Sequence, residues 1–116
     1  MHEVAIVAEV LGIAIEHARR VGAREICCIE MRVGTLSGVV RESLEFAFEA
    51  LKLQTMAAQA TLAIEMVAVV ARCEQCGLQF EPQDIFYACP SCGALGGEVH
   101  RGKELEVVAV EIVRDE

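Results

Sequence analysis

The chain has 116 residues, of which 54% are hydrophobic and 24% charged, a balance that excludes a disordered or collagen-like protein and suits one modest core. Ten basic residues stand against 18 acidic ones, giving a formal charge of −8. Such a surface repels phosphate backbones and anionic membranes, so no nucleic-acid partner is expected.

The amino terminus, Met1-His2-Glu3, carries no basic segment, and the apolar stretch after it is broken by Glu9 and Glu16, unlike a secretory signal. The longest charge-free run, Ile85 to Gly97, includes Pro90 and three glycines and falls short of the roughly 18 residues a membrane span needs. A cytoplasmic location is therefore expected. In that reducing compartment, closely spaced cysteines bind metal more often than they form disulfides.

In chain order, Val4, Val7, Leu11, Ala14 and Ala18 keep helical spacing, with Ile6, Val10 and Ile13 widening the stripe, which predicts a helix over 4–20 ending near Gly22. From Arg24 to Val33 the pattern alternates in twos, with Cys27, Ile29, Met31 and Val33 on the inner face. Gly34 to Gly38 predicts a turn with a capping serine at Ser37, and Leu44, Ala47, Phe48 and Leu51 predict a second helix over 41–52. Two further alternating runs, 61–71 and 104–113, predict strands. The segment between them reads as an insert, and chain economy pairs the two flanking strands as a long hairpin with the insert at its tip.

Within that insert, Cys73-x-x-Cys76-Gly77 and Cys89-x-x-Cys92-Gly93 are separated by twelve residues. A C-x-x-C turn lets two thiolates converge on one ion, and the following glycine lets the backbone curl so that amides point at sulfur. Two such knuckles supply four thiolates with no open position, the donor set of a structural zinc that staples a segment too small for its own core. Two disulfides, or four unrelated core thiols, are the alternative. Phe80, Phe86 and Tyr87 lie between the knuckles and are expected to form the core of this module.

His2 follows a free α-amine. It can offer imidazole, its own backbone nitrogen and the amine of Met1 to one ion, and the amide of Glu3 would complete a square plane. In-plane nitrogen donors suit Ni(II) or Cu(II) rather than tetrahedral zinc. Cys27 and Cys28 are adjacent on a strand and point to opposite faces, so both read as packing residues rather than metal ligands. His17 and His100 read as structural or solvated histidines. No P-loop, nucleophile elbow or His-rich open zinc site is present, so no enzymatic activity is expected.

Met1-His2-Glu3, the stretch Val33-Gly-Thr-Leu-Ser-Gly-Val-Val-Arg-Glu-Ser-Leu-Glu-Phe-Ala-Phe-Glu49, the two knuckles and Gly102-Lys-Glu-Leu105 together resemble the HypA/HybF family of nickel metallochaperones, end to end. The resemblance implies an α+β fold: two helices on a three-stranded, mostly antiparallel sheet, with a small zinc-ribbon-like domain inserted between the last two strands. The expected domains are 1–71 plus 103–116 for nickel and 72–102 for structural zinc. It further implies His2 as nickel ligand with the main-chain nitrogens of Met1 and Glu3, and Cys73, Cys76, Cys89 and Cys92 as zinc ligands. Nickel would be cargo for maturation of [NiFe]-hydrogenase, or of urease, delivered with a HypB-type GTPase to the hydrogenase large-subunit precursor. A homodimer is compatible with this reading. The rival is a zinc-ribbon interaction scaffold with no nickel role.

Overall fold

The computed structural model describes residues 3–82 and 86–115. Its elements in order are α1 (Glu3–Arg20), β1 (Ala23–Gly34), a 3-10 turn (Thr35–Ser37), α2 (Arg41–Leu51), β2 (Thr61–Val67), β3 (Val70–Arg72), β4 (Gln79–Phe80), β5 (Glu98–Arg101) and β6 (Leu105–Arg114). Contacts divide the chain into two units, one made of Met1–Arg32, Gly38–Glu65 and Glu106–Glu116, the other of Val33–Ser37 and Met66–Leu105.

In the first unit α1 buries Val7, Val10, Leu11, Ala14 and Ala18. This stripe is narrower than the sequence predicts: Val4 is 61% and Ile13 51% exposed. Past the last helical turn, Gly22 adopts a φ of 73°, the left-handed conformation that ends helices at little cost for glycine. α2 packs against α1 and buries Leu44, Ala47 and Phe48. Its N-cap is Val40, with no side-chain cap, so the serine expected to cap it does not. The end of α2 is closed instead by Lys52, whose Nζ donates to Ala60 O at 3.0 Å and lies 5.5 Å from the Phe48 ring centroid.

The larger sheet has the order β2-β1-β6. Along β1, Arg24 meets Asp115, Cys27 Sγ meets Glu111 O, Arg32 meets Glu106 and Gly34 N donates to Glu104 O. Numbers rise on one strand as they fall on the other, so β1 and β6 are antiparallel. Against the other edge, Ile26 N donates to Met56 O and Arg32 pairs with Glu65, both rising together, so β2 runs parallel to β1 after the α2 crossover. The sheet is therefore mixed. The expected hairpin between the strands flanking the insert is not formed, because β1, buried at Ile26, Ile29, Met31 and Val33, takes the central place between them. Burial also changes parity between Ile26 and Ile29, so Ile26 fills the core where alternation pointed to Cys27.

The strand predicted over 61–71 is two strands. β2 stops at Val67, and β3 joins a second sheet of order β4-β3-β5. β3 is antiparallel to both neighbours, with Ala71 opposite Phe80 and Val99 and Arg72 opposite Gln79 and Glu98. A tight backbone crossing closes this second unit: Leu36 N donates to Gly102 O and Gly34 N to Glu104 O, each at 2.7 Å. A Cβ on Gly34 would sit 2.0 Å from Gly102 O, which is why only glycine fits there.

Candidate metal centre

The two knuckles of the second unit have the same backbone wiring. Cys73 N donates to Leu78 O and Gly77 N to Cys73 O; Cys89 N donates to Ala94 O and Gly93 N to Cys89 O, all at 2.8–2.9 Å. Gly77 and Gly93 have φ of 78° and 75°, so each turn closes through a left-handed residue directly after its second cysteine. Sequence spacing alone foreshadows this repeat.

The four sulfurs lie within 4.8 Å of one another, and they are the one group of three or more potential metal ligands among the described residues. Cys73 Sγ is 3.6 Å from Cys92 Sγ, and Cys76 Sγ is 3.6 Å from Cys89 Sγ. A tetrahedron with zinc–sulfur bonds of about 2.3 Å has sulfur–sulfur edges of about 3.8 Å, whereas a disulfide needs about 2.05 Å. All six cysteines are free. The donor set and its spacing thus fit a structural metal such as zinc and not a pair of disulfides.

Burial is divided within each knuckle: Cys73 and Cys89 are buried, Cys76 and Cys92 exposed. Cys73 and Cys89 join Ala71 and Phe80 in a small core against which Tyr87 and Ala94 pack. Phe86, expected in that core, is instead 63% exposed. Tyr87 reaches the core from a left-handed backbone, φ 56°, uncommon for a bulky residue.

The local field separates the thiols. Backbone N–H groups of Cys76 and Gln75 aimed at Cys73 pull its pKa below the ordinary thiol value, against burial. The Cys92 amide, aided by that of Ser91, likewise pulls Cys89 down to about 6. Cys76 goes the other way, to about 11: the Leu78 amide is its largest influence and lowers it, but the sulfur of Cys89, burial, and the sulfurs of Cys73 and Cys92 together outweigh that bond. Cys92 is raised in the same manner, with the Ala94 amide opposed chiefly by Cys73.

Arg72, which the sequence reading did not single out, borders the first knuckle: a Cβ on Gly77 would lie 3.6 Å from its guanidinium. With Glu74, Gln75 and Glu98 it lines a groove beside Cys73 and Cys76. The available signal was its place directly before the first thiolate, where a cation opposes the negative charge of four sulfurs.

The other candidates stay apart from this cluster. His100 Nε2 is 3.8 Å from Glu98 Oε2. Cys27 and Cys28 are half-buried in β1, and Cys27 Sγ points at Glu111 O, 3.4 Å away. His17 is exposed on α1. Met1 and His2 lie outside the described residues; Glu3 opens α1, and its Oε2 accepts the Val40 N–H at 3.3 Å. Among the described residues no helix is long and apolar enough to cross a membrane.

Two helices on a mixed three-stranded sheet, with a separate four-cysteine ribbon, define a small metal-handling protein. A family profile described as hydrogenase/urease nickel incorporation, metallochaperone, hypA matches residues 1–112. The hydrogenase maturation factor HypA of Picosynechococcus sp. is 47% identical over 113 residues, covering 97% of this chain and 100% of that protein. That of Geobacter metallireducens is 38% identical over 112 residues, covering 97% and 99%. The solution structure of the Ni metallochaperone HypA from Helicobacter pylori shares the fold, with TM-score 0.68 and 24% identity over 99% of this chain and 100% of that one. The chain belongs to the HypA family, whose members are nickel metallochaperones for hydrogenase and urease maturation and not catalysts.

Proposed function

We propose that this chain carries Ni(II) at its amino terminus and passes it on for maturation of a [NiFe]-hydrogenase or a urease. The ion is held by the His2 imidazole together with the main-chain nitrogens of Met1, His2 and Glu3, a planar nitrogen set suited to Ni(II). The observation that carries this reading is the family match from residue 1 onward, over a chain that begins Met-His-Glu. The hydrogen bond from Val40 to Glu3 supports it, because it ties the residue beside His2 to the start of α2.

Cys73, Cys76, Cys89 and Cys92 hold a structural Zn(II) that orders the second unit. Four thiolates fill a tetrahedron and leave no position for an activated water, so the zinc supplies folding energy rather than chemistry. Nickel leaves by ligand exchange to a HypB-type GTPase and the hydrogenase large-subunit precursor, in a reducing cytoplasm that keeps the thiols available. Equilibrium nickel binding tests the reading on untagged, zinc-loaded protein beside His2→Ala and an amino-terminally extended form. Affinity should collapse in both variants; unchanged affinity in both removes the amino-terminal site and leaves the scaffold reading.

A further inference from the structure

The four sulfurs of the second unit are unequal in access. Cys73 and Cys89 are buried, whereas Cys76 and Cys92 are exposed. The pairs at 3.6 Å, Cys76 with Cys89 and Cys73 with Cys92, each cross from one knuckle to the other and each join an exposed sulfur to a buried one. In such a pair the exposed sulfur meets an oxidant and its buried neighbour is already in place to resolve the product.

The two exposed sulfurs differ in their surroundings. Cys76 opens on a groove of 420 Å³ lined also by Arg72, Glu74, Gln75 and Glu98, and the Arg72 guanidinium lies against Gly77, the residue after it. No charged residue stands between positions 85 and 97, so the chain around Cys92 brings no cation of its own.

From this we infer that the cluster is a peroxide-sensitive clasp: a hydroperoxide entering the groove oxidises Cys76, Cys89 resolves it, and the metal is released. The inference rests on the structural zinc proposed above. The Cys76 thiolate attacks one peroxide oxygen, the O–O bond breaks, and hydroxide leaves with its charge met by Arg72 in the same groove. The Cys89 thiolate then attacks the sulfenic sulfur, the S–O bond breaks, a second hydroxide leaves, and a Cys76–Cys89 disulfide remains. The two sulfurs together lose two electrons and the peroxide gains them. Cys73 and Cys92 alone are half a ligand set and let the ion go. A second equivalent of peroxide closes Cys73 with Cys92 by the same steps. Both disulfides join the knuckles where the metal joined them, so the oxidised unit stays folded and rebinds zinc after reduction by a dithiol.

Hydrogen peroxide added in single equivalents to the full, zinc-loaded chain tests this, with zinc release followed by a metallochromic indicator. The remaining thiols are then alkylated and the bonded cysteines mapped by tandem mass spectrometry. One equivalent should release the zinc and yield Cys76–Cys89, and a second should yield Cys73–Cys92, with amide dispersion for 66–105 retained. Arg72→Ala should slow release by peroxide about tenfold while leaving release to a chelator unchanged, and Arg72→Lys should recover part of the rate. Disulfides within either knuckle, zinc retained through excess peroxide, or an Arg72→Ala protein as fast as wild type, or slowed equally toward peroxide and chelator, would each overturn the assignment. A chain that never binds zinc would remove the structural-zinc reading itself, and the clasp with it.

Discussion

The carboxylate of Glu3 accepts the backbone N–H of Val40, the N-cap residue of α2, at 3.3 Å. In a capping box that bond comes from an acidic residue three positions into the same helix. Here position three of α2 is Ser43, and the carboxylate comes from the first turn of α1. Valine cannot cap, so Glu3 supplies from another element what the local sequence lacks, and it sets negative charge at the positive end of the helix dipole.

Glu3→Ala should therefore destabilise the first unit by about 0.5–1 kcal/mol, and Glu3→Gln, which keeps an acceptor but loses the charge, by less. Thermal unfolding at low and high salt separates the two contributions. With the carboxylate gone, the salt dependence at the start of α2 should shrink. Equal stability of wild type and Glu3→Ala would show that the bond contributes nothing.

Removal of the metal should unfold one unit and spare the other. The second unit is built on two- to four-residue strands and a core of Ala71, Cys73, Phe80 and Cys89, two of which are ligands. Without a metal that core is too small to offset its conformational entropy. Chelation, or Cys89→Ser, should collapse amide dispersion for 66–105 in an NMR spectrum while resonances of α1 and α2 persist. Cys27→Ser should leave both units intact. Retained dispersion in the metal-free second unit would contradict a structural role for the four sulfurs.

Unfolding of the metal-free second unit makes a prediction about protons. Once that unit unfolds, the amides of Cys92 and Ser91 no longer point at Cys89, and each of the four thiols returns to an ordinary pKa of about 8.5, protonated near neutral pH. Zinc binding should then release close to four protons at about pH 7, and affinity should fall steeply on acidification. Calorimetry in buffers of different ionisation enthalpy measures this number directly. Release of about three would show instead that the folded arrangement, with Cys89 already ionised, persists without the metal.

Much of this architecture is legible in the sequence, and what is not has identifiable causes. Periodicity locates both helices within a residue or two, and the knuckle spacing foreshadows the four-sulfur cluster, because each is a local pattern. Strand order is not local. Nothing between Thr61 and Arg72 breaks the alternation, so the passage from β2 to β3 leaves no mark on residue type. The central place of β1 follows from a parallel crossover that hydropathy cannot see, since the central strand, with three valines and isoleucines in its twelve residues, is less rich in them than the edge strand β6, with five in ten. Phe86 shows the same limit: three aromatics near two knuckles suggest one core, but the space beside Cys73 and Cys89 is filled by Phe80 and Tyr87.

Two glycines should respond in opposite ways to the same substitution. Gly34 has its would-be Cβ 2.0 Å from the carbonyl oxygen of Gly102 and 2.6 Å from Lys103 N, both backbone atoms in a crossing held by hydrogen bonds of 2.7 Å. No rotamer change relieves that clash, so Gly34→Ala should force the strands apart and destabilise the second unit by roughly 3 kcal/mol or more. Gly12 lies within α1 with nothing within 4 Å of its would-be Cβ. There alanine only removes the entropic penalty of a helical glycine, so Gly12→Ala should stabilise the first unit by about 0.5–1 kcal/mol. Denaturant unfolding, followed by helical ellipticity for the first unit and Tyr87 fluorescence for the second, resolves the two effects. A Gly34→Ala protein as stable as wild type would mean that the crossing yields easily, and the tight 34–102 approach would then not be what excludes a side chain there.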